Sequence, residues 1–220
     1  MSQQFTKNQE LIQYTYDNLQ INVPKGSEEY EKMISGMAYD SMSSELRIAR
    51  GQTRNLARQY QDIQLQPGQS TDEYDQARLN HLRKVFGKLN GDNICIESPF
   101  QVDYGFNIEI GDKFYSNFNL VILDCSIVKI GYGVKFGPNV SLLSATHPLD
   151  YNGRVENSIE WAREINIGDY VWLGAGVTVL AGITIGNGTI VGAGSVVNRD
   201  LPPNVVAVGS PARVVKHLDQ

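Results

Sequence analysis

The sequence predicts a mainly β protein, a parallel β-helix with a small helical appendage on its N-terminal side. Three observations carry that expectation: an apolar period of six in the C-terminal half, glycines gathered in the same half, and helical periodicity confined to residues 44–87. The chain has 220 residues, of which 41% are apolar, enough for one globular domain with an appendage.

Ile167, Leu173, Val179, Ile185, Val191 and Val197 are six apart without exception, and Gly168, Gly174, Gly186 and Gly192 follow four of them. Six is neither the period of a helix nor that of a simple strand, and a short hexapeptide repeat marks a β-helix. Each step supplies one flat side of a triangular coil, its aliphatic residue pointing inward and stacking on its equivalents. The small residue that follows lets the chain turn where a larger side chain would clash. Upstream the period loosens. Ile110, Ser116 and Ile122 form one register, and Ile130, Phe136 and Leu142 form another, shifted by two residues. Between Leu143 and Ile165 the repeat stops, and a loop of about 20 residues inside a compact repeat is usually functional or mobile.

Fifteen of the 21 glycines lie from Gly105 to Gly209, and between Ile165 and Asn198 the only charged residue is Asp169. A stretch so poor in charge could be mistaken for a membrane span; its glycines and fixed interval favour the coil. Gly186, Gly188 and Gly192 mimic a dinucleotide fingerprint, but that motif needs a helix after it, and the hexads continue straight through.

In the first half, Leu46, Ala49, Thr53, Leu56, Tyr60 and Ile63 alternate steps of three and four, which predicts an amphipathic helix from Ser44 to Ile63. Pro67-Gly68 ends it. Ser70-Thr71-Asp72-Glu73 is a capping box opening a second helix through Leu79, Leu82 and Phe86 to Gly87. The expected organisation is a flexible or loosely packed arm over 1–27, a helical appendage over 28–90, the β-helix over 91–200 with an inserted loop at 144–164, and a C-terminal extension over 201–220.

Acidic residues number 24 against 19 basic ones, a net charge of −5, which argues against a general nucleic-acid or membrane-surface role. Any anionic ligand needs a local cluster of cations. Arg199, Arg213 and Lys216, with His217 beside them, form the richest one near the repeats and suit a polyphosphate. Cys95 and Cys125 cannot make a disulfide framework, which points to a reducing, cytoplasmic compartment. Met1 to Glu10 also lacks the apolar core of a signal peptide. His81, His147 and His217 fall in a helix, a loop and a tail without metal-ligand spacing, so no metal is expected. His147 is the sharpest catalytic candidate. It stands where the repeat breaks, and a neutral imidazole there can take a proton from an alcohol or amine near pH 7. The competing reading is a solvated loop histidine.

Taken together, the hexads, Thr146-His147-Pro148, and the ending Pro202-Pro203-Asn204-Val205-Val206 through Gly209-Ser210-Pro211-Ala212-Arg213-Val214 resemble the hexapeptide-repeat acyltransferases. Phe114-Tyr115-Ser116-Asn117-Phe118-Asn119 and Met37-Ala38-Tyr39-Asp40 narrow the resemblance to the maltose and galactoside O-acetyltransferase branch, over residues 28–218. The resemblance implies a left-handed parallel β-helix forming a homotrimer, with a maltose-acetyltransferase-type appendage and acetyl-CoA in the groove between neighbouring subunits. His147 matches the family's general base, Asn117 a residue that holds the acceptor, and Asp40 an acidic residue of the sugar pocket. Ala175 and Ala193 match positions lining the pantetheine groove, while Asn198, Arg199, Arg213 and Lys216 match those at the CoA end.

The galactoside branch can carry an acidic pair where this chain has Asp124-Cys125. A thiol bonds a sugar hydroxyl poorly, which leaves Asp124 to serve in part. Glu160, in the long loop, is a candidate to orient His147 or to bind a sugar hydroxyl. The expected activity is direct acetyl transfer from acetyl-CoA to a hydroxyl of a small sugar, with no covalent enzyme intermediate. Three alternatives stay open: an antibiotic or amino-acid hydroxyl as acceptor, a γ-type carbonic anhydrase, and a non-catalytic scaffold.

Overall fold

The computed structural model describes residues 3–156 and 159–219. Its centre is a three-sided parallel coil. The first side stacks Lys88–Asn90, Ile108–Gly111, Val128–Ile130, Ile165–Ile167 and Thr184–Ile185. The second stacks Ile94–Ile96, Phe114–Ser116, Lys135–Phe136, Trp172–Leu173, Ile190–Val191 and Val205–Val208. The third stacks Phe100–Val102, Leu120–Leu123, Ser141–Leu143, Thr178–Leu180 and Val196–Val197.

The periodic residues form the inner columns. Ile167 pairs with Ile185 on the first side, Leu173 with Val191 on the second, and Val179 with Val197 on the third. All six are buried, each contributing about 1.5–3 kcal/mol from removal of its side chain from water. The looser upstream residues join the same columns: Ile110 and Ile130 lie under Ile167, Phe136 under Leu173, and Ile122 and Leu142 under Val179. The two-residue shift has a place. From Ile96 onward, extra residues enter only where the third side turns into the first, so the columns stay aligned while that edge carries Asp103, Asp124, Cys125 and the long loop. Gly174 explains the small residue at a corner, because a Cβ there would stand 2.7 Å from the Ala193 amide nitrogen of the next coil.

Four helices precede the coil: α1 (Gln9–Asn18), α2 (Glu28–Ile34), α3 (Ser44–Gln61) and α4 (Thr71–Val85). The two helices expected from periodicity are α3 and α4, and the Ser70–Glu73 capping box is formed. Ala57, Tyr60, Leu79, Leu82, Val85 and Phe86 close the lower end of the coil against Ile94, Ile96 and Phe100.

The flexible arm expected over 1–27 is corrected among the described residues. Asn8 caps α1 by accepting from the Leu11 N–H at 3.1 Å, and Leu11, Ile12 and Leu19 are buried with Tyr30, Met33, Ile127 and Ala162. The apolar face of α1 is narrow and interrupted by polar residues, so its period was faint. The expected end of the β-helix at 200 is also corrected, since Val205–Val208 continues the second side and Arg213–His217 folds back on it antiparallel. The inserted loop is not structureless: Ala145–Thr146 pairs antiparallel with Trp161–Ala162, and Asn152–Glu156 forms a π-helical turn; residues 157 and 158 of that range lie outside the described residues.

Candidate active site

His147 follows directly on the pair Thr146–Trp161, which sets it opposite Glu160 where the long loop returns. Its Nδ1 lies 3.0 Å from the Ile159 carbonyl oxygen. A carbonyl only accepts, so Nδ1 carries the hydrogen and the neutral ring keeps its lone pair on Nε2. Nε2 lies 3.9 Å from Glu160 Oε2, on an imidazole that is 49% exposed. A backbone carbonyl therefore does the orienting, and Glu160 stands on the proton-accepting side of the ring. Glu160 Oε1 in turn accepts from the Tyr39 hydroxyl. Tyr39 was not a sequence candidate for the site; its place beside Asp40 was the available signal.

Asp40 is brought to the same neighbourhood, one residue from Tyr39. It is exposed, and its Oδ1 accepts from the Met42 N–H at 2.9 Å in the turn that leads to α3.

Asp124 is a correction. It is fully buried, and its Oδ1 accepts from the backbone N–H groups of Asp103 at 3.0 Å and Tyr104 at 2.9 Å. Its Oδ2 has no partner in the structure, so it ties the edge of one coil to the coil below and is closed to an acceptor. Burial pushes its pKa up to about 7, against the pull of the two backbone N–H bonds. The unfolded carboxyl ionises near pH 4, so between about pH 4 and 7 the native chain holds a proton that the unfolded chain has released. Stability from this group thus falls as pH rises through that window and is level above it. Asp124→Asn stays neutral throughout. Urea unfolding is expected to show the variant gaining on wild type by about 1.4 kcal/mol per pH unit between pH 5 and 6.5; parallel pH curves would contradict this.

Cys125 is also buried, its Sγ 3.7 Å from Asp103 Oδ2, and burial raises its pKa further, so it remains a thiol. Asp103 is itself paired with Arg54 of α3.

The remaining residues fall on two edges and one hairpin. Asn117, Ala175 and Ala193 follow strands of the second side and stack along its edge with the third. Ala175 and Ala193 are exposed, and a Cβ on the neighbouring Gly194 would meet nothing within 4 Å, so the backbone along this edge is open to solvent. Asn198 and Arg199 follow Val196–Val197 at the other edge of the third side, in line with His147. Arg213 and Lys216 lie on the closing strand. Arg199, Arg213 and Lys216 are exposed, and among the described residues none is held in an ion pair. Among those residues, no three His, Cys, Asp or Glu groups are arranged to hold a metal, and no helix is long and apolar enough to cross a membrane.

Residues 32–91 match the maltose acetyltransferase hexapeptide capping motif, and 164–199 match the bacterial transferase hexapeptide with six repeats. A maltose O-acetyltransferase from Clostridium difficile superposes with a TM-score of 0.80 at 39% identity, over 87% of this chain and 98% of that one. A galactoside acetyltransferase in complex with coenzyme A gives 0.78 at 34%, over 88% and 92%. A sophorolipid acetyltransferase of Starmerella bombicola is 38% identical, over 96% of this chain and 81% of that one. With an imidazole poised at a broken hexapeptide coil, these likenesses make the chain a member of the hexapeptide-repeat acyltransferases, built on a left-handed parallel β-helix. Within them it belongs to the maltose and galactoside O-acetyltransferase branch and is an acetyl-CoA-dependent O-acetyltransferase.

Proposed function

We propose that the chain transfers acetyl from acetyl-CoA to a hydroxyl of a small sugar, by direct attack in a ternary complex with His147 as general base. The observation that carries this is the Nδ1–H bond to the Ile159 carbonyl, which leaves Nε2 free to take a proton. The acceptor O–H gives its proton to Nε2 as its oxygen bonds to the thioester carbonyl carbon. The C–S bond then breaks, and the proton passes from Nε2 to the departing CoA thiolate. Glu160, 3.9 Å from Nε2, balances the imidazolium and bonds a second hydroxyl of the acceptor. The buried, protonated Cys125 supports the absence of a thioester on the enzyme. The sugar assignment rests on the maltose, galactoside and sophorolipid names of the relatives, together with Asp40 and Asn117 as acceptor ligands.

The working unit is a homotrimer. Asn117, Ala175 and Ala193 lie on one edge of the third side, and His147 and Arg199 on the other, so one copy does not bring its own set together. The third side also turns Val121, Leu123, Leu143, Leu180 and Val196 outward beside Gln101, Ser141 and Thr178, a more apolar face than the first, which turns out Glu109, Lys129, Asn166 and Thr184. Packing the apolar third sides around a threefold axis brings one copy's Asn117 edge to the next copy's His147 edge. The pantetheine then follows Ala175 and Ala193, with Asn198, Arg199, Arg213 and Lys216 toward the phosphates. Two unpaired thiols favour a cytoplasmic location.

The test is CoA-thiol release from acetyl-CoA with maltose, glucose and galactosides, beside amino-acid and antibiotic alcohols. Release with a sugar, and an O-acetyl sugar by mass, is the expected result. Release with a non-sugar alcohol alone would replace the acceptor class.

A further inference from the structure

The residue that fixes Glu160 does not come from the β-helix. Tyr39 lies between α2 and α3, and it holds Glu160 twice. Its hydroxyl donates to Oε1, and its backbone N–H donates to the Glu160 carbonyl at 3.4 Å. The segment leading to Tyr39 is itself clamped. A Cβ on Gly36 would stand 2.9 Å from the Ala162 carbonyl oxygen, and the Gly36 carbonyl accepts from the Gln4 N–H at 2.9 Å. A φ of +74° lets only glycine pass there without strain. The Tyr39 ring is buried, and desolvation raises its pKa well above the ordinary value, so the phenol remains a donor. Among the described residues no other side chain or backbone group hydrogen-bonds the Glu160 carboxylate.

We propose that Tyr39 is a positioning residue for acceptor recognition, holding the Glu160 carboxylate toward His147 Nε2 so that the N-terminal layer sets how a sugar's second hydroxyl is gripped. This rests on the role given to Glu160 above. A glutamate side chain is rich in rotamers. Without the phenol, Oε1 turns to water and the acceptor must order the carboxylate as it binds. Once bound, the acceptor holds the carboxylate where it balances the imidazolium as in wild type, so the effect falls on acceptor binding and not on proton transfer.

Tyr39→Phe removes the hydroxyl and keeps the ring. The acceptor KM is expected to rise about tenfold, with kcat at saturating acceptor, the acetyl-CoA KM and the thermal midpoint as in wild type. Glu160→Gln raises the acceptor KM too, and the double variant should be no worse than Glu160→Gln alone, because Tyr39 acts through that carboxylate. Additive losses, or a Tyr39→Phe enzyme with wild-type kinetics, overturn the inference. The wild-type control reads the parent proposal separately: no thiol release with any sugar removes that proposal, and this role with it.

Discussion

Replacing His147 with alanine is expected to lower kcat for acetyl transfer by about 10²–10⁴-fold, the contribution a positioned general base makes. The fold gives no other reason for a loss of that size. The imidazole is half exposed, and among the described residues its one hydrogen bond goes to the Ile159 carbonyl and it fills no part of either apolar core. The coil beneath it is held by the columns through Leu142 and Val179, which the substitution does not touch. Acetyl-CoA should therefore bind His147→Ala as it binds wild type, by calorimetric titration, while single-turnover transfer slows. Wild-type kcat in the variant would remove His147 from the chemistry.

The inner columns were legible because a hexad is a local signal: six residues from Ile167 to Val197 each report one side of the coil. The appendage was half legible. A long helix such as α3 shows its period over 18 residues, whereas α1 spends 10 residues burying Leu11, Ile12 and Thr15, with Tyr16 half-buried beside them. At the site, His147 stood out by its position at the break in the repeat. What completes it did not. The Ile159 carbonyl is backbone, invisible in any residue pattern, and Tyr39 meets Glu160 across a separation of 121 residues. Asp124 misled because burial at a corner leaves no mark on a single carboxylate. Like its neighbour Cys125 it is buried, tucked under the amides of Asp103 and Tyr104.

The largest consequence of the proposed trimer lies between copies. His147 and Asn117 sit on opposite edges of the same side of the coil, one following Ala145–Thr146 and the other Phe114–Ser116. In a ring of three with that side inward, each site takes its base from one copy and its acceptor ligand from the next. His147→Ala removes the base from one half of the site, and Asn117→Ala removes the ligand from the other. Each variant alone should be nearly inactive. A mixed trimer differs, because an Asn117→Ala copy supplies an intact His147 to a site whose other half comes from a His147→Ala copy with an intact Asn117. The most direct measurement is thiol release after the two inactive variants are co-refolded in equal amounts. Random assembly restores about one quarter of the sites, so about one quarter of wild-type activity is expected. A mixture as inactive as its two components would contradict a site shared between subunits.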